Sequence, residues 1–257
     1  MSALTDLVAA LGSGAVEVVD LSAPLSESTP ILTLPAEFGQ TAHFELEEIS
    51  AYDERGPAWY WNNFRTGEHT GTHFDAPRHW VTGRDGEDVS AVPATRLVAP
   101  AAVLDFSAEA AKDPDFCLTV DHIKAWEAEH GPLPEGGWLL YRTGWDARSG
   151  SQADFLNADD GGSHTPGMDP DCARWVAEES PVIGLGVETV GTDAGAAPTF
   201  EPMFPCHSLM HGAGKYGLTQ LQNLAKLPPQ GAVLIAGPLR IVGGSGSPAR
   251  VLALVER

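Results

Sequence analysis

The chain is poor in cysteine and in positive charge. Only Cys117, Cys172 and Cys206 occur among its 257 residues, and no two of them form a CxxC pair. An odd number of cysteines at these spacings argues against a disulfide framework or a thiolate metal cluster. Lys and Arg total 15 against 35 Asp and Glu, which gives a formal net charge of −20. Proteins that bind nucleic acid or anionic lipid need a basic face, so both classes are disfavoured.

The sequence also lacks long apolar runs. No stretch reaches the roughly 18 consecutive apolar residues that a membrane-spanning helix needs. The N-terminal stretch has no basic region and carries Asp6 and Glu17 within its apolar part, so it does not have the pattern of a signal peptide. We therefore expect a cytoplasmic protein without a membrane or nucleic-acid partner.

The composition indicates one globular α/β domain over residues 1–257. Hydrophobic residues make up 43% of the chain and charged residues 19%, which is a balance typical of globular proteins. Short apolar runs bounded by glycine or proline predict buried strands, and runs with helical periodicity predict helices. The predicted strands span residues 16–21, 101–106, 138–142, 182–187, 232–236 and 251–255. The predicted helices span residues 2–11, 119–130 and 169–179, and residues 22–65 and 143–168 are expected to form long loops.

The clearest chemical signature lies in the segment EHTGTHFDAPRHW, residues 68–80. His69, His73 and Asp75 offer two imidazoles and a carboxylate within seven residues. If the segment is extended, positions 69, 71, 73 and 75 project to one side, and Gly71 leaves space between the histidines. This donor set suits Zn, Mn or Fe and leaves positions open for water and substrate. The spacing therefore predicts a metal site.

A structural interpretation of the same segment competes with this one. A single histidine is more often a buried polar residue or a surface residue than a metal ligand. Three of the nine histidines and one Asp within eleven residues are harder to explain in that way. The third histidine, His79, follows Asp75 by four residues and places a titratable imidazole near the metal without having to bind it.

The string HTGTHFDAPRHW resembles the signature His-x-Gly-Thr-His-x-Asp-x-Pro-x-His of the cyclase-like metal-dependent hydrolase family, which includes bacterial kynurenine formamidase and isatin hydrolase. Residues 18–30, 186–195 and 207–227 also resemble the family, as does the closing stretch VLIAGPLRIVGGSGSPARVLALV, and the closing half is most similar to the isatin-hydrolase-like branch. The resemblance implies a single-domain cyclase-like fold of the swivelling β/β/α type, with a mixed sheet and flanking helices. It also implies a homodimer or homotetramer.

The resemblance assigns roles to four residues of the motif. His69, His73 and Asp75 match the residues that bind the metal. His79 matches the catalytic histidine, which relays protons while a metal-activated water attacks the substrate. A histidine beside the metal is suited to protonating the departing nitrogen of an amide. We expect replacement of His79 to lower kcat and to leave metal binding intact.

One departure from the family pattern bears on the number of metals. His207 matches a histidine that helps to bind a second metal in kynurenine formamidases, and those enzymes place a Glu ligand about twelve residues later. This chain has Thr219 at that position. We therefore expect one divalent metal, Mn or Zn, with His207 contacting the substrate or carrying a proton.

Aromatic residues flank the motif and are candidates for substrate binding. Trp61 and Trp80 could clamp a flat ring, and Asn63 could position a carbonyl group. The same aromatic residues could instead belong to the core or to a loop exchanged across a dimer interface. Asn62 and Asn63 could equally form a turn.

The predicted function is metal-dependent hydrolysis of a small molecule, with opening of an isatin-like cyclic amide as the first hypothesis. Hydrolysis of N-formylkynurenine, as in an arylformamidase, is the alternative that uses the same chemistry. A polyketide-type cyclase or dehydratase would use the same metal to polarise a ketone. A non-catalytic metal- or ligand-binding protein is a further alternative, and the intact set of motif residues with His79 argues against it.

Overall fold

Fourteen strands and five α-helices occur in the computed structural model, which describes residues 2–257. The helices are α1 (Ala3–Ser13), α2 (Ser107–Ala110), α3 (Val120–His130), α4 (Gln152–Leu156) and α5 (Pro170–Glu178). The strands are β1 (Val16–Asp20), β2 (Glu45–Ala51), β3 (Tyr60–Arg65), β4 (His73–Asp75), β5 (Val98–Asp105), β6 (Cys117–Leu118), β7 (Trp138–Arg142), β8 (Ala158–Asp159), β9 (Gly162–Ser163), β10 (Gly167–Met168), β11 (Gly184–Val187), β12 (Tyr216–Thr219), β13 (Ala232–Pro238) and β14 (Gly246–Glu256). A π-helix covers Cys206–Met210.

Eight of these strands form one mixed sheet that closes on itself. The strand order is β1-β14-β13-β5-β7-β11-β12-β4, and β4 pairs with β14 as well as with β12. Strands β5, β7, β11 and β12 run parallel to one another, whereas β4, β13 and β14 join antiparallel. The closure makes a seven-stranded barrel with β1 attached outside β14. The short strand β4 is therefore the element that joins the two ends of the barrel.

Two hydrophobic clusters pack on the two faces of this sheet. Successive residues of a strand point to opposite faces, so Trp138 and Leu140 join one cluster while Leu139 and Tyr141 join the other. The first cluster also receives Phe74 and residues from β12, β13 and β14. The second packs against α3 and α5, which contribute apolar residues that include Ile123, Trp126, Cys172 and Val176. The predicted buried strands are confirmed.

The predicted helices are confirmed together with their capping residues. The Ser2 hydroxyl accepts the backbone N–H of Thr5, and Thr119 accepts that of His122 at 3.3 Å. Asp169 accepts the N–H of Cys172 at 2.6 Å. The expected end of the first helix at residue 11 was wrong. The helix continues to Ser13 because the left-handed residue that ends it is Gly14, with φ of 75°.

The two long loops predicted from the sequence contain regular structure. Strands β2 and β3 form an antiparallel ribbon within 22–65, and α4 and the β8–β9 hairpin lie within 143–168. The sequence ELEEISA of β2 is exposed along most of its length, so it lacks the apolar run that indicates a buried strand. Within residues 2–257, none of the helices combines the length and the apolar character needed to cross a membrane.

A buried carboxyl group lies directly after β11. Glu188 is 1% exposed, and its Oε2 accepts the backbone N–H of Thr143 at 2.7 Å and that of Trp145 at 3.1 Å. These bonds fasten the loop after β7 to the end of β11. Burial raises the pKa of Glu188 to about 7, although the amide donors of the loop oppose this shift.

Replacement of Gly184 tests the contact between β7 and β11. Gly184 lies opposite Trp138, and a Cβ atom there would approach the indole ring to 2.5 Å. We expect Gly184→Ala to lower the free energy of unfolding by about 1–3 kcal/mol, because the fully buried indole must shift. Urea unfolding measures the difference. Gly12→Ala is the control, since nothing lies within 4 Å of a Cβ at Gly12; equal effects of the two substitutions would contradict the packing argument.

Glu188 is expected to make stability depend on pH. Its folded-state pKa exceeds the unfolded value of 4.5, so its stabilising contribution is complete below pH 4.5 and is lost as the pH rises to about 7. Gln cannot ionise. We expect the free energy of unfolding of Glu188→Gln, relative to the parent protein, to rise by roughly 3 kcal/mol between pH 4 and pH 8. Urea titrations across this range provide the measurement, with exposed Glu54→Gln as control. A difference that stays flat with pH would refute the assignment.

Candidate active site

The motif residues meet at the strand that closes the barrel. His73 and Asp75 are the two ends of β4 and point to one side, while Phe74 points to the opposite cluster. His73 is 4% exposed and Asp75 is 1% exposed. The expectation that the extended run begins at position 69 was wrong. Residues 68–72 form a turn, and Gly71 adopts a left-handed φ of 68°, so this glycine permits the turn that carries His69 towards Asp75.

Asp75 is the residue on which the cluster converges. Its Oδ1 lies 2.7 Å from His69 Nδ1 and 3.4 Å from His73 Nε2. Burial opposes ionisation of Asp75, but the neighbouring His73 and His69 hold the pKa of its carboxyl well below its usual range. The adjacent strands leave room for these groups. A Cβ at Gly217 would approach Asp75 Oδ2 to 2.8 Å, and one at Gly246 would approach His69 Cε1 to 2.6 Å.

Hydrogen bonds from outside the motif orient the first two histidines. Ser245 Oγ lies 2.8 Å from His69 Nε2, and it donates to Glu68 at 2.6 Å. The carbonyl oxygen of Gly71 accepts from His73 Nδ1 at 2.7 Å. The sequence motif gave no indication of this hydrogen bond between Ser245 and His69. Register could have indicated it, because Gly246 pairs directly with Asp75.

Thr219 contacts His73. Its Oγ1 lies 2.9 Å from His73 Nδ1 and 3.0 Å from Nε2. Strand β12 pairs with β4 so that Thr219 stands opposite His73. The residue that replaces the formamidase Glu therefore supports a histidine of the motif.

His79 approaches the cluster from a short 3-10 turn, Pro77–His79. Its ring stacks on that of His69, with 3.9 Å between centroids and an interplanar angle of 28°. Burial and the surrounding histidines lower the pKa of His79 to about 2, which Asp75 only partly offsets. The imidazole is therefore neutral near pH 7.

The π-helix brings two further histidines to the cluster. Centroids of His207 and His211 lie 5.4 Å and 5.9 Å from that of His79. His211 Nδ1 donates to the carbonyl of Lys215 at 3.0 Å, which leaves its buried Nε2 without a partner among the described residues. Burial and the nearby His207 lower the pKa of His211 to about 4. Sequence reasoning gave His211 no role beyond its spacing from His207.

The donor atoms at this site fit a divalent metal. One ligand atom each from His69, Asp75 and His79 lie within 4.8 Å of one another, and the same holds for Asp75, His207 and His211. Imidazole and carboxylate donors suit both Zn and Mn. The sequence assigned the third ligand to His73, whereas the geometric grouping contains His79. Both histidines lie next to Asp75, so variants of each are needed to distinguish the two possible ligand sets.

The predicted substrate-binding residues lie in two places. Trp80 is half-buried beside His207, with 4.9 Å between ring centroids, and it also packs against Phe204. Trp61 and Asn63 lie on the β2–β3 ribbon with exposed side chains, and Asn63 donates to Glu47 at 3.2 Å. The chain's own fold thus brings Trp80 to the histidines and leaves Trp61 and Asn63 on the ribbon.

Comparisons with known proteins cover the whole chain. A family model named Cyclase matches residues 19–194, more than half of the sequence. The isatin hydrolase of Roseibium aggregatum is 51% identical over 259 residues, which cover 100% of this chain and 98% of that protein. A crystal structure of an isatin hydrolase bound to the product analogue thioisatinate is 50% identical, covers 100% of both chains and has a TM-score of 0.97. The kynurenine formamidase of Salinibacter ruber is 30% identical over 199 residues, 74% of this chain and 77% of that protein.

These similarities confirm the expected fold class. The molecule has the single-domain cyclase-like α/β fold, with a mixed sheet and flanking helices. The sequence did not predict that the sheet closes into a barrel, because a closing strand of three residues leaves no periodic signal.

Metal binding by single-histidine variants distinguishes the two ligand sets. We expect His73→Ala to lose the metal, because Nε2 of His73 lies 3.4 Å from Asp75 Oδ1, and His79→Ala to retain it. Metal content after dialysis and calorimetric titration with Zn provide the measurement, and exposed His43→Ala is the control. Loss of metal from His79→Ala with retention by His73→Ala would show that His79 is the ligand.

Proposed function

The chain belongs to the cyclase family, and we propose that it opens the lactam ring of isatin or of a closely related cyclic amide by hydrolysis. It is an amidohydrolase that acts on a C–N bond other than a peptide bond. The observation that carries the proposal is the buried carboxylate of Asp75 with five histidine rings around it, in a chain similar over its full length to isatin hydrolases.

We assign one divalent metal, Mn or Zn, to His69, His73 and Asp75. When bound, such an ion supplies Lewis acidity that polarises a carbonyl group and favours loss of a proton from water. The buried Asp75 supplies negative charge, and the two imidazoles supply neutral donors. The bonds from Ser245 and Gly71 hold these imidazoles in place.

The remaining chemistry of the reaction is proton transfer. Hydrolysis joins the hydroxyl of one water to the carbonyl carbon, breaks the C–N bond and delivers the other proton of that water to the departing nitrogen. We assign this transfer to His79 and His207, whose rings lie beside the proposed metal ligands. Proton transfer by a positioned histidine typically contributes about 10²–10⁴-fold to the rate.

Flat substrates such as isatin suit the aromatic surroundings. Trp80 offers a ring face next to His207, and we propose that it contacts the substrate directly. We propose that Trp61 and Asn63 contact the substrate bound in a neighbouring subunit, because the ribbon that carries them is exposed to solvent in a single chain. Exposed aromatic residues on this ribbon favour a homodimer or homotetramer. These residues are Trp59, Tyr60, Trp61 and Phe64. We place the protein in the cytoplasm.

Turnover of isatin by chelator-stripped protein, reloaded separately with Mn and Zn, tests the proposal. We expect metal-dependent ring opening, followed by the change in absorbance. Asp75→Asn should lose this activity, because the proposed metal ligands then lack their carboxylate, and Asp169→Asn should retain it. Cleavage of N-formylkynurenine without cleavage of isatin would move the assignment to arylformamidase chemistry. Metal-loaded protein inactive on both would refute the amide hydrolase proposal.

A further inference from the structure

A second carboxylate stands behind one of the catalytic histidines. Asp193 lies in the loop after β11 and is 9% exposed. Its Oδ2 lies 2.5 Å from Nδ1 of His207 and accepts the backbone N–H of the same residue at 3.2 Å. Its Oδ1 accepts the backbone N–H of Cys206 at 2.7 Å. One side chain thus holds both the ring of His207 and the backbone at the start of the π-helix.

This contact determines which nitrogen of His207 faces the site. An ionised carboxylate only accepts hydrogen bonds, so the Nδ1 of His207 carries its proton. In the neutral ring, Nε2 is then the basic nitrogen. Thr192 Oγ1 is the other polar group close to Nδ1, and at 3.4 Å it is the more distant partner. The ring packs against Trp80 and His79 on its other sides.

His79 lacks such a partner. Among the described residues, neither ring nitrogen of His79 forms a hydrogen bond, and its ring is held by stacking on His69. A base that acts in proton transfer is generally oriented by a third group that bonds its other nitrogen. Of the two histidines, His207 alone meets that requirement.

We propose that Asp193 is a positioning residue that fixes His207 in the Nδ1–H form, so that Nε2 of His207 carries the proton from the attacking water to the departing amide nitrogen. This inference rests on the proposed function. The step is balanced: Nε2 takes one proton as the new C–O bond forms and returns it to nitrogen as the C–N bond breaks. Asp193 acts only as a hydrogen-bond acceptor and exchanges no atom with the substrate.

Asp193→Asn tests this role, because the Asn amide would donate to Nδ1 and favour the Nε2–H form. Long-range ¹H–¹⁵N spectra of ¹⁵N-histidine-labelled, Zn-loaded protein read the tautomer directly. We expect Nδ1–H in the parent protein, Nε2–H in the variant, a fall in kcat of about 10²–10⁴-fold and little change in KM or metal content. Asp169→Asn is the control, since Asp169 also caps a helix but contacts no histidine.

His207→Gln keeps the test valid if Asp193→Asn is poorly folded. His207→Gln leaves Asp193 free to bond the backbone, so we expect a similar loss of kcat in a folded protein. The double variant should lose no more than His207→Gln alone, because the two residues act as a unit. Additive losses, or a changed tautomer with unchanged kcat, would overturn the proposal. If the parent protein leaves isatin intact, the proposed function fails, whereas the tautomer spectra still report on Asp193 and His207.

Discussion

The buried carboxylate of Asp75 is the constraint on which the rest of the site depends. An isolated charge in a protein interior is strongly unfavourable, so Asp75 must be surrounded by groups that compensate it. His69 at 2.7 Å and His73 at 3.4 Å provide that compensation. Both neighbouring strands place a glycine opposite Asp75, Gly217 on one side and Gly246 on the other. Barrel closure and assembly of the proposed metal ligands are therefore a single structural event.

The histidines around Asp75 are differentiated by their partners. His73 and His211 each donate a ring N–H to a backbone carbonyl. The opposite nitrogen of His73 lies near Thr219 Oγ1, whereas that of His211 has no partner among the described residues. His207 instead meets the carboxylate of Asp193, and that contact raises its pKa although burial opposes the change. His79 has only ring neighbours. Five chemically identical side chains thus acquire different roles, and a buried cluster of identical rings without these partners would have no fixed tautomers.

Much of this arrangement could be predicted from the sequence, and each correct prediction depends on residues that are close together in the chain. The buried strands and the capped helices depend on local patterns, and the motif from His69 to His79 is contiguous. The pieces that sequence reasoning missed are contacts between distant positions, such as Ser245 with His69 and Asp193 with His207. Each joins residues whose spacing carries no periodic signal. The role of Thr219 was equally hidden, because pairing between β12 and β4 decides what it faces.

Asp193 has the sequence context of a turn residue. It lies in a Gly-rich stretch, where Asp commonly bonds nearby backbone amides, and it does bond two of them, at Cys206 and His207. The same two bonds fix the carboxylate at the start of the π-helix, and from there one oxygen reaches the imidazole of His207. A local capping role and the orientation of a catalytic ring are thus compatible in one side chain. Asp193→Asn keeps one oxygen that can accept a backbone N–H and replaces the other acceptor with an NH₂ donor, so it separates capping from the hydrogen bond that fixes the tautomer.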